Sequence, residues 1–286
     1  MRLTIRDIEK MKERGENIPM LTAYDATSAR VSEDAGVPML LVGDTLGMVV
    51  QGHSTTIPVT LDHIIYHAEI VTRVTERPLV VGDMPFMSYN VSPEQAITNA
   101  ARLMQESGVQ AIKLEGGTHI APTIARIVRA GIPVMGHIGL TPQSVNGFGG
   151  FRVQGKEIKT AQQLIHDAEA VQEAGAFAVV LELVTAPLSK LITERLTIPT
   201  IGIGAGPHCD GQVQVFHDIL ALFDAFVPKH TKRYATIGDM MRAAIQDYIH
   251  EVQDGSFPTE ANSFSMNDDV LEAVLQAEVN GTHAGD

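Results

Sequence analysis

The chain has 286 residues, 44% of them hydrophobic, and a formal net charge of −13 at pH 7. This length suits one α/β barrel of typical size or two smaller domains. The negative charge argues against binding to nucleic acid, which attracts basic surfaces, and it means that an anionic substrate needs a local patch of positive charge, for instance a metal ion.

The predicted elements alternate between strands and helices along most of the chain. Residues 4–14 are predicted to form an amphipathic helix ahead of the first strand. Eight apolar runs follow, and their lack of polar–apolar alternation is typical of strands that are buried on both faces. In chain order, the predicted strands are IPMLTAYD, VPMLLVGD, PLVVGD, VQAIKLE, IPVMGHIG, AFAVVLEL, IPTIGIGAG and DAFVPKH.

Helices are predicted between these strands and after the last one. Repeating strand–helix units form a parallel sheet, and polar residues at the same end of several strands indicate a (β/α)8 barrel, the TIM barrel. We therefore predict an N-terminal helix and a single (β/α)8 barrel catalytic domain over 1–264, followed by a polar, acidic C-terminal tail over 265–286. The helices are predicted at about 27–36, 61–75, 93–108, 120–130, 160–174, after 187, at 214–223 and at 237–253.

Two loops are longer than a compact domain usually contains. TLGMVVQGHSTTIPVT follows the second predicted strand, and LTPQSVNGFGGFRVQGKEI follows the fifth. Loops of this length are usually functional, for instance as a cover over a binding site.

The sequence also predicts the compartment. Cys209 is the single cysteine, so an intrachain disulfide is impossible, which fits a reducing cytoplasm. The polar N-terminal segment lacks the apolar core of a signal peptide, and no apolar run reaches transmembrane length. We therefore expect a cytoplasmic protein that does not enter a membrane.

Asp44 and Asp83 each end a predicted strand as part of a Gly-Asp pair. The two strands are neighbours in the predicted barrel, so the carboxylates point into one mouth. Two carboxylates that lie close together repel each other unless a cation sits between them. A few oxygen ligands, with room left for water and substrate, suit Mg²⁺. The alternative is that each Asp caps the helix that follows it.

Four further strand-end residues carry ionisable groups. Lys113 and Glu115 are two residues apart on the fourth strand and share one face, so both reach the site if that face points inward; otherwise they form an ion pair that closes the barrel top. His137 could donate to an oxyanion, although a lone His is more often structural. Glu182 lies in apolar surroundings, which tune a carboxylate towards general-base work near neutral pH; a Glu satisfied by backbone amides is equally compatible with the pattern.

Three other features carry weaker signals. The loop GIGAGPHCDGQ after the seventh strand lies where barrel enzymes often bind phosphate, but it lacks the GxGxxG spacing and the P-loop Lys, so it holds an anion or merely turns the chain. His63 and His67 have the spacing of a zinc-binding HExxH motif, yet the sequence is HIIYH and a helix surface is favoured. Cys209 has no adjacent His–Asp arrangement and is interpreted as a bystander thiol.

Read in order, these residues lie in segments that resemble the ketopantoate hydroxymethyltransferase (3-methyl-2-oxobutanoate hydroxymethyltransferase) family, which carries out the first step of pantothenate synthesis. The resemblance runs from about residue 3 to Phe264, in register with the barrel units. It implies a (β/α)8 barrel, cytoplasmic location, Mg²⁺ dependence and a homo-oligomer, commonly a decamer. The matching segments are LTAYDATSA, GDTLGMVVQGH, PVTLDHIIYH, DMPFMSY, KLEGG, GHIGLTPQSVN, FGGFRVQG and IPTIGIGAG followed by CDGQ.

The resemblance also implies roles for individual residues. Asp44, Asp83 and Glu115 match the metal-site carboxylates of the family, and the first two act as ligands more directly. Asp44 and Asp83 border the substrate as well. Lys113 matches the lysine that contacts the substrate, and His137 matches a histidine of the substrate pocket.

Glu182 matches the proton acceptor proposed for the family. Thr45 stands where the family usually has Ser; it keeps the amide and the hydroxyl, so the substrate contact should survive with a more restricted rotamer. The chain reads GHSTT where the family usually reads GHDST, which leaves open how the loop near residues 53–56 behaves.

The reactants come from the resemblance too: 2-oxoisovalerate (3-methyl-2-oxobutanoate) and 5,10-methylenetetrahydrofolate. Mg²⁺ as a Lewis acid would stabilise the forming enolate, Glu182 would remove the C3 proton, and attack on the one-carbon unit would give ketopantoate (2-dehydropantoate). The two long loops are the candidates for the folate site. The alternatives are a Mg²⁺-dependent C–C lyase of the phosphoenolpyruvate mutase/isocitrate lyase type, whose KKCGH-like loop is not seen, and a non-catalytic barrel.

Overall fold

The computed structural model describes residues 1–223 and 227–281. The chain divides into two compact units, Met1–Ala235 and a second unit that begins at Thr236. Each unit is described by itself below.

The first unit is a closed barrel of eight parallel strands, which confirms the predicted fold class. Each strand pairs with its neighbours in sequence, and the last strand pairs with the first to close the ring. All carboxyl ends of the strands therefore lie at the same end of the barrel, where sites of this fold are built. The strands are β1 (Ile18–Thr22), β2 (Met39–Val42), β3 (Leu79–Asp83), β4 (Ala111–Glu115), β5 (Val134–Gly139), β6 (Ala178–Glu182), β7 (Thr200–Ile203) and β8 (Gly211–Gln214).

Helices connect most of these strands, as the sequence predicts. Local signals set their ends: Ser92 caps α5 by accepting a hydrogen bond from the N–H of Gln95 (3.1 Å), Pro93 occupies the first turn, and Gly108 ends the helix with φ 73°. The helices of this unit are α1 (Ile5–Glu13), α2 (Ala26–Asp34), α3 (Leu46–Val49), α4 (Leu61–Val74), α5 (Pro93–Ser107), α6 (Ala121–Arg129), α7 (Val145–Phe148), α8 (Ile158–Glu173), α9 (Ala186–Arg195) and α10 (Phe216–Ile219).

The eighth strand does not lie where the sequence predicts it. Residues 224–226 of the predicted run DAFVPKH lie outside the described residues, and residues 227–230 form no strand. The strand that closes the barrel is β8, which pairs with β1 and β7. Its outer face carries the exposed Gln212, so it alternates polar and apolar residues and lacks the continuous apolar run used to find the others. The helix predicted at 214–223 shortens accordingly to α10.

Two apolar clusters hold the barrel. One lies between the strands and the surrounding helices. The other fills the barrel interior, is rich in Met, Val, Leu and Ile, and includes Ile8 of α1, which covers the amino-terminal end. The inward-facing residues of β4 change from Ala111, which belongs to this cluster, to Lys113 and Glu115 near the carboxyl end of the strand. The barrel interior is therefore apolar towards the amino-terminal ends of the strands and charged at their carboxyl ends.

The second unit contains α11 (Ile237–Asp254), a 3₁₀ turn (Glu260–Asn262) and α12 (Asp268–Gly281). Helix α11 agrees with the predicted last helix, whereas the predicted end of the catalytic domain at residue 264 stays a prediction. No helix within the described residues has the length and apolar character that crossing a membrane requires.

Candidate active site

One cavity at the carboxyl ends of the strands brings together the seven residues that the sequence analysis assigns to the metal, the substrate or the proton transfer. The residues come from five strands or the loops directly after them, so the prediction that they converge is confirmed as geometry. The predicted site residues that line the cavity are Asp44, Thr45, Asp83, Lys113, Glu115, His137 and Glu182.

The two Gly-Asp carboxylates lie side by side. Asp83 is the last residue of β3, Asp44 follows β2, and the N–H of Asp44 donates to Oδ2 of Asp83 (3.1 Å). Both are buried, with 3% and 1% of Asp44 and Asp83 exposed. Neither caps a long helix, because Thr60 caps α4 and Ser92 caps α5. The capping alternative therefore fails for both.

Buried charge shapes the properties of this pair. Burial, followed by the carboxylates of Asp83 and Glu115, raises the pKa of Asp44 well above its ordinary value. Nζ of Lys113 lies 2.7 Å from Oδ1 of Asp83. Burial alone would lower the pKa of Lys113, but Asp83, Glu115 and Asp44 outweigh it and raise that pKa. Lys113 is thus a cation inside the mouth of the barrel. The sequence left open whether it forms an ion pair or reaches the site, and the structure shows both, because its ion pair with Asp83 lies in the cavity.

His137 lies between two carboxylates from different strands. Its Nδ1 is 3.4 Å from Oε1 of Glu115, and its Nε2 is 3.1 Å from Oε2 of Glu182. Burial and Lys113 would lower the pKa of His137, but the contacts with Glu115 and Glu182 outweigh them and raise it from 6.5 to about 9. The imidazole is therefore protonated at neutral pH and supplies a second cation.

Glu182 is the last residue of β6 and has the most accessible of these carboxylates, with 15% of its side chain exposed. It faces His137, so its surroundings are more polar than the apolar run FAVVLE suggests. The next residue, Leu183, has a positive φ of 48°, which is uncommon for a residue with a branched side chain. Strained backbone of this kind clusters at functional sites.

Most of the remaining wall of the cavity is apolar, with Thr22 and Gln214 as its polar members. Five aliphatic side chains from β2, β6, β7, β8 and the residue after β8 lie beside the charged groups. Such a wall suits an apolar, branched part of a small anionic ligand. The five are Leu41, Val180, Ile203, Val213 and Val215.

Sequence reasoning missed two residues that hold the site together. Gln143, in the long loop after β5, donates from Nε2 to Oδ2 of Asp44 (3.0 Å), and its Oε1 accepts from the hydroxyl of Tyr89 (2.8 Å). Both side chains are buried. No motif indicates them, because loops have no periodicity and Gln143 is 99 residues from Asp44 in sequence. The matching segments GHIGLTPQSVN and DMPFMSY contain them but assign them no role.

The weaker sequence signals lie outside the cavity. His63 and His67 lie on α4, where Nδ1 of His63 accepts the N–H of Thr60 (3.2 Å) and Nδ1 of His67 lies 2.6 Å from the carbonyl oxygen of Tyr24. Both histidines therefore lie on a helix, as the sequence predicts. The Gly-rich loop leads directly from β7 into β8.

The donor set suits a cation that takes few protein ligands. In residues 1–223 and 227–281, no group of three or more His, Cys, Asp or Glu side chains is arranged to hold a metal by itself. Apart from its 3.4 Å contact with Nδ1 of His137, the buried Oε1 of Glu115 has no partner among the described residues, and Asp44 and Asp83 repel each other. Mg²⁺ binds through one or two carboxylates plus water and substrate. Asp44 and Asp83 fit that pattern, with Glu115 behind them.

The sequence matches a known family over nearly its whole length. The profile described as Ketopantoate hydroxymethyltransferase matches residues 2–260. The chain belongs to this family. Relatives named 3-methyl-2-oxobutanoate hydroxymethyltransferase include those of Chloroflexus aggregans, 58% identical over 96% of this chain and 98% of the relative, and Gluconacetobacter diazotrophicus, 56% identical over 97% and 100%.

Solved structures of other proteins share the fold of this chain. The chain resembles 2,3-dimethylmalate lyase, a member of the PEP mutase/isocitrate lyase superfamily, with TM-score 0.58, 17% identity and 100% of each chain covered. It also resembles phosphonopyruvate hydrolase in complex with oxalate and Mg²⁺, with TM-score 0.59, 11% identity and 99% of each chain covered. At such identities the likeness shows the fold alone, whereas the family match separates this chain from those lyases and hydrolases.

Proposed function

We propose that this protein transfers a hydroxymethyl group from 5,10-methylenetetrahydrofolate to 3-methyl-2-oxobutanoate and so forms ketopantoate, through an enolate of the oxo acid. The observation that carries the proposal is the arrangement of one cavity, with Asp44, Asp83 and Lys113 on one side and Glu182 on the other. The family match supports the same chemistry.

Asp44 and Asp83 would hold Mg²⁺, with Glu115 close by. When bound, the ion would supply Lewis acidity for the ketone of the substrate. The charge of the site favours such an ion: with Asp44, Asp83, Glu115 and Glu182 ionised, Lys113 and the protonated His137 neutralise only two of four negative charges. A divalent cation makes the cavity acceptable to an anionic substrate.

The protein's own cations orient the oxo acid. Lys113 extends from β4 into the cavity and would contact the substrate, and the protonated His137 would add positive charge near its carboxylate. Thr45, beside Asp44, offers its amide and hydroxyl to the same ligand. The isopropyl group would then face the apolar wall of the cavity.

Glu182 would remove the C3 proton as the general base. It stands at the end of β6, lines the cavity, and has Nε2 of His137 3.1 Å from its Oε2. C3 of the enolate would form a C–C bond to the one-carbon unit of the folate. Water would supply the hydroxyl group of the product as the bonds from that carbon to the folate nitrogens break, and the nitrogens would take up protons to give tetrahydrofolate. The long loops after β2 and β5 border the mouth and are the proposed folate site.

We further propose the setting that the family resemblance implies: a cytoplasmic homo-oligomer, commonly a decamer, acting on small molecules and not on nucleic acid or membranes. The catalytic domain would span 1–264, with 265–286 as an acidic tail. No part of the catalytic proposal depends on the oligomer size.

The test is an assay of the purified protein with Mg²⁺, 3-methyl-2-oxobutanoate and 5,10-methylenetetrahydrofolate. Ketopantoate should form only when all three are present. A parallel reaction with 2,3-dimethylmalate, without folate, tests the lyase alternative. Cleavage of that substrate without ketopantoate formation would overturn the proposal, and inactivity towards both would favour the non-catalytic barrel.

A further inference from the structure

Gln143 connects the loop after β5 to the ends of three other strands. It lies in a short 3₁₀ turn (Pro142–Ser144) and is only 4% exposed. Its Nε2 donates to Oδ2 of Asp44 (3.0 Å) and to the carbonyl oxygen of Met84 (3.0 Å). Its backbone N–H donates to Oε2 of Glu115 (3.1 Å). A single residue thus contacts two of the three proposed metal-site carboxylates.

A second residue fixes which way the amide faces. The hydroxyl of Tyr89 accepts the N–H of Glu115 (3.2 Å) and lies 2.8 Å from Oε1 of Gln143. The carbonyl oxygen of the amide can only accept, so the hydroxyl proton is directed to it. The NH₂ group is therefore turned to Asp44 and Met84, which are both acceptors. Every polar atom of the Gln143 side chain is used in this orientation.

We infer that Gln143 is a positioning residue of the metal site, oriented by Tyr89. Its amide holds Oδ2 of Asp44, so that carboxylate keeps Oδ1 for the cavity, and its backbone N–H holds Oε2 of Glu115, whose Oε1 faces His137. This inference rests on the proposed Mg²⁺ site. Partners that orient metal ligands in this way commonly change metal affinity by roughly 10–100-fold when they are lost.

The chemistry of an amide explains why glutamine suits this position. Gln143 does not line the cavity and so acts only through the residues that it holds. A glutamate of the same shape would place another negative charge against Asp44 and the carbonyl oxygen of Met84. A neutral donor fixes the carboxylate without adding to the repulsion that a cation must offset.

The experiment measures Mn²⁺ binding by electron paramagnetic resonance, with and without 3-methyl-2-oxobutanoate, in wild type, Gln143→Leu and Tyr89→Phe. Gln143→Leu removes both side-chain donors at similar volume, and Tyr89→Phe removes only the hydroxyl that orients the amide. Gln162→Leu, at an exposed position of α8, is the matched control. Circular dichroism and thermal melting report whether each variant folds.

We expect the Mn²⁺ dissociation constant to rise roughly 10–100-fold in Gln143→Leu, by a smaller factor in Tyr89→Phe, and not at all in Gln162→Leu. The Mg²⁺ concentration for half-maximal turnover should rise in parallel, while kcat at saturating Mg²⁺ falls less than that constant rises. A purely structural role would lower the melting temperature and kcat at every metal concentration instead.

A Mn²⁺ dissociation constant within threefold of wild type in Gln143→Leu overturns the inference. If that variant does not fold, the same result in Tyr89→Phe overturns it. Wild-type protein that binds no Mn²⁺ under either condition overturns both this inference and the proposed metal site, whereas normal wild-type binding with unaffected variants overturns the positioning role alone.

Discussion

Nε2 of His137 lies 3.1 Å from Oε2 of Glu182, so the proposed general base faces a protonated imidazole. The same ring contacts Glu115, on the metal side of the cavity, through its other nitrogen. One histidine therefore connects the proposed base to the proposed metal site.

Glu182→Gln should reduce kcat by roughly 10²–10⁴-fold, the usual contribution of a positioned base, because the amide cannot accept the C3 proton. Steady-state formation of ketopantoate measures this. Glu173→Gln, at an exposed position of α8, is the matched control and should turn over normally. A Glu182→Gln enzyme with kcat near that of wild type would remove this residue from the role of base.

Asp83→Asn should weaken Mg²⁺ binding strongly, because a neutral amide replaces a proposed ligand and leaves Lys113 without its 2.7 Å carboxylate partner. Isothermal titration with Mg²⁺ and the metal dependence of turnover both report the change. Identical titration curves for the variant and wild type would contradict ligation by Asp83.

Leu183→Val should lower stability by roughly 1–3 kcal/mol, since a β-branched residue tolerates a positive φ poorly. Because Leu183 directly follows Glu182, kcat should fall as well. Thermal melting and turnover measure the two effects. Leu191→Val, on the exposed face of α9, serves as the control and should change both far less. A stable and fully active Leu183→Val variant would show that this backbone conformation does not matter.

Asp218 predicts a dependence of stability on pH. Burial raises the pKa of Asp218 from 3.8 to about 6, against the opposing effect of Arg233. A carboxyl whose pKa is higher in the folded state stabilises the fold most below pH 3.8, and that contribution is lost as pH rises to about 6. Asp218→Asn should therefore gain melting temperature relative to wild type between pH 4 and pH 7. A constant difference across this range would contradict the raised pKa.

Cys209 should resist thiol reagents in the folded protein. It is 5% exposed, and burial raises the pKa of its thiol to about 11. The thiolate, which is the reactive form, is therefore scarce at pH 8. Labelling with a disulfide reagent should be slow in buffer and fast in denaturant. Rapid labelling of the native protein would contradict the interpretation as an inert bystander.

The sequence predicts most of this site because the barrel converts strand position into spatial position. Asp83, Glu115 and Glu182 each end a buried apolar run, and closure of the sheet alone brings them into one cavity. Strand β8 was not predicted, because the other strands were recognised by continuous apolar runs and β8 carries the exposed Gln212 on its outer face.

Other features depend on contacts that no local pattern encodes. The raised pKa of His137 needs carboxylates from two other strands, Glu115 and Glu182. The role inferred for Gln143 needs Tyr89 and Asp44, which reach it from two separate loops. Periodicity places strand ends, but it says nothing about which loop residue hydrogen-bonds to them.

The most direct measurement is deuterium exchange at C3 of 3-methyl-2-oxobutanoate, followed by proton NMR in D₂O without folate. It tests the metal, the base and the substrate in one reaction, apart from the one-carbon transfer. Wild-type protein should exchange the C3 proton when Mg²⁺ is present and lose this activity with EDTA or with Glu182→Gln. Exchange that continues unchanged without a divalent metal, or in Glu182→Gln, would contradict the enolate chemistry assigned to this cavity.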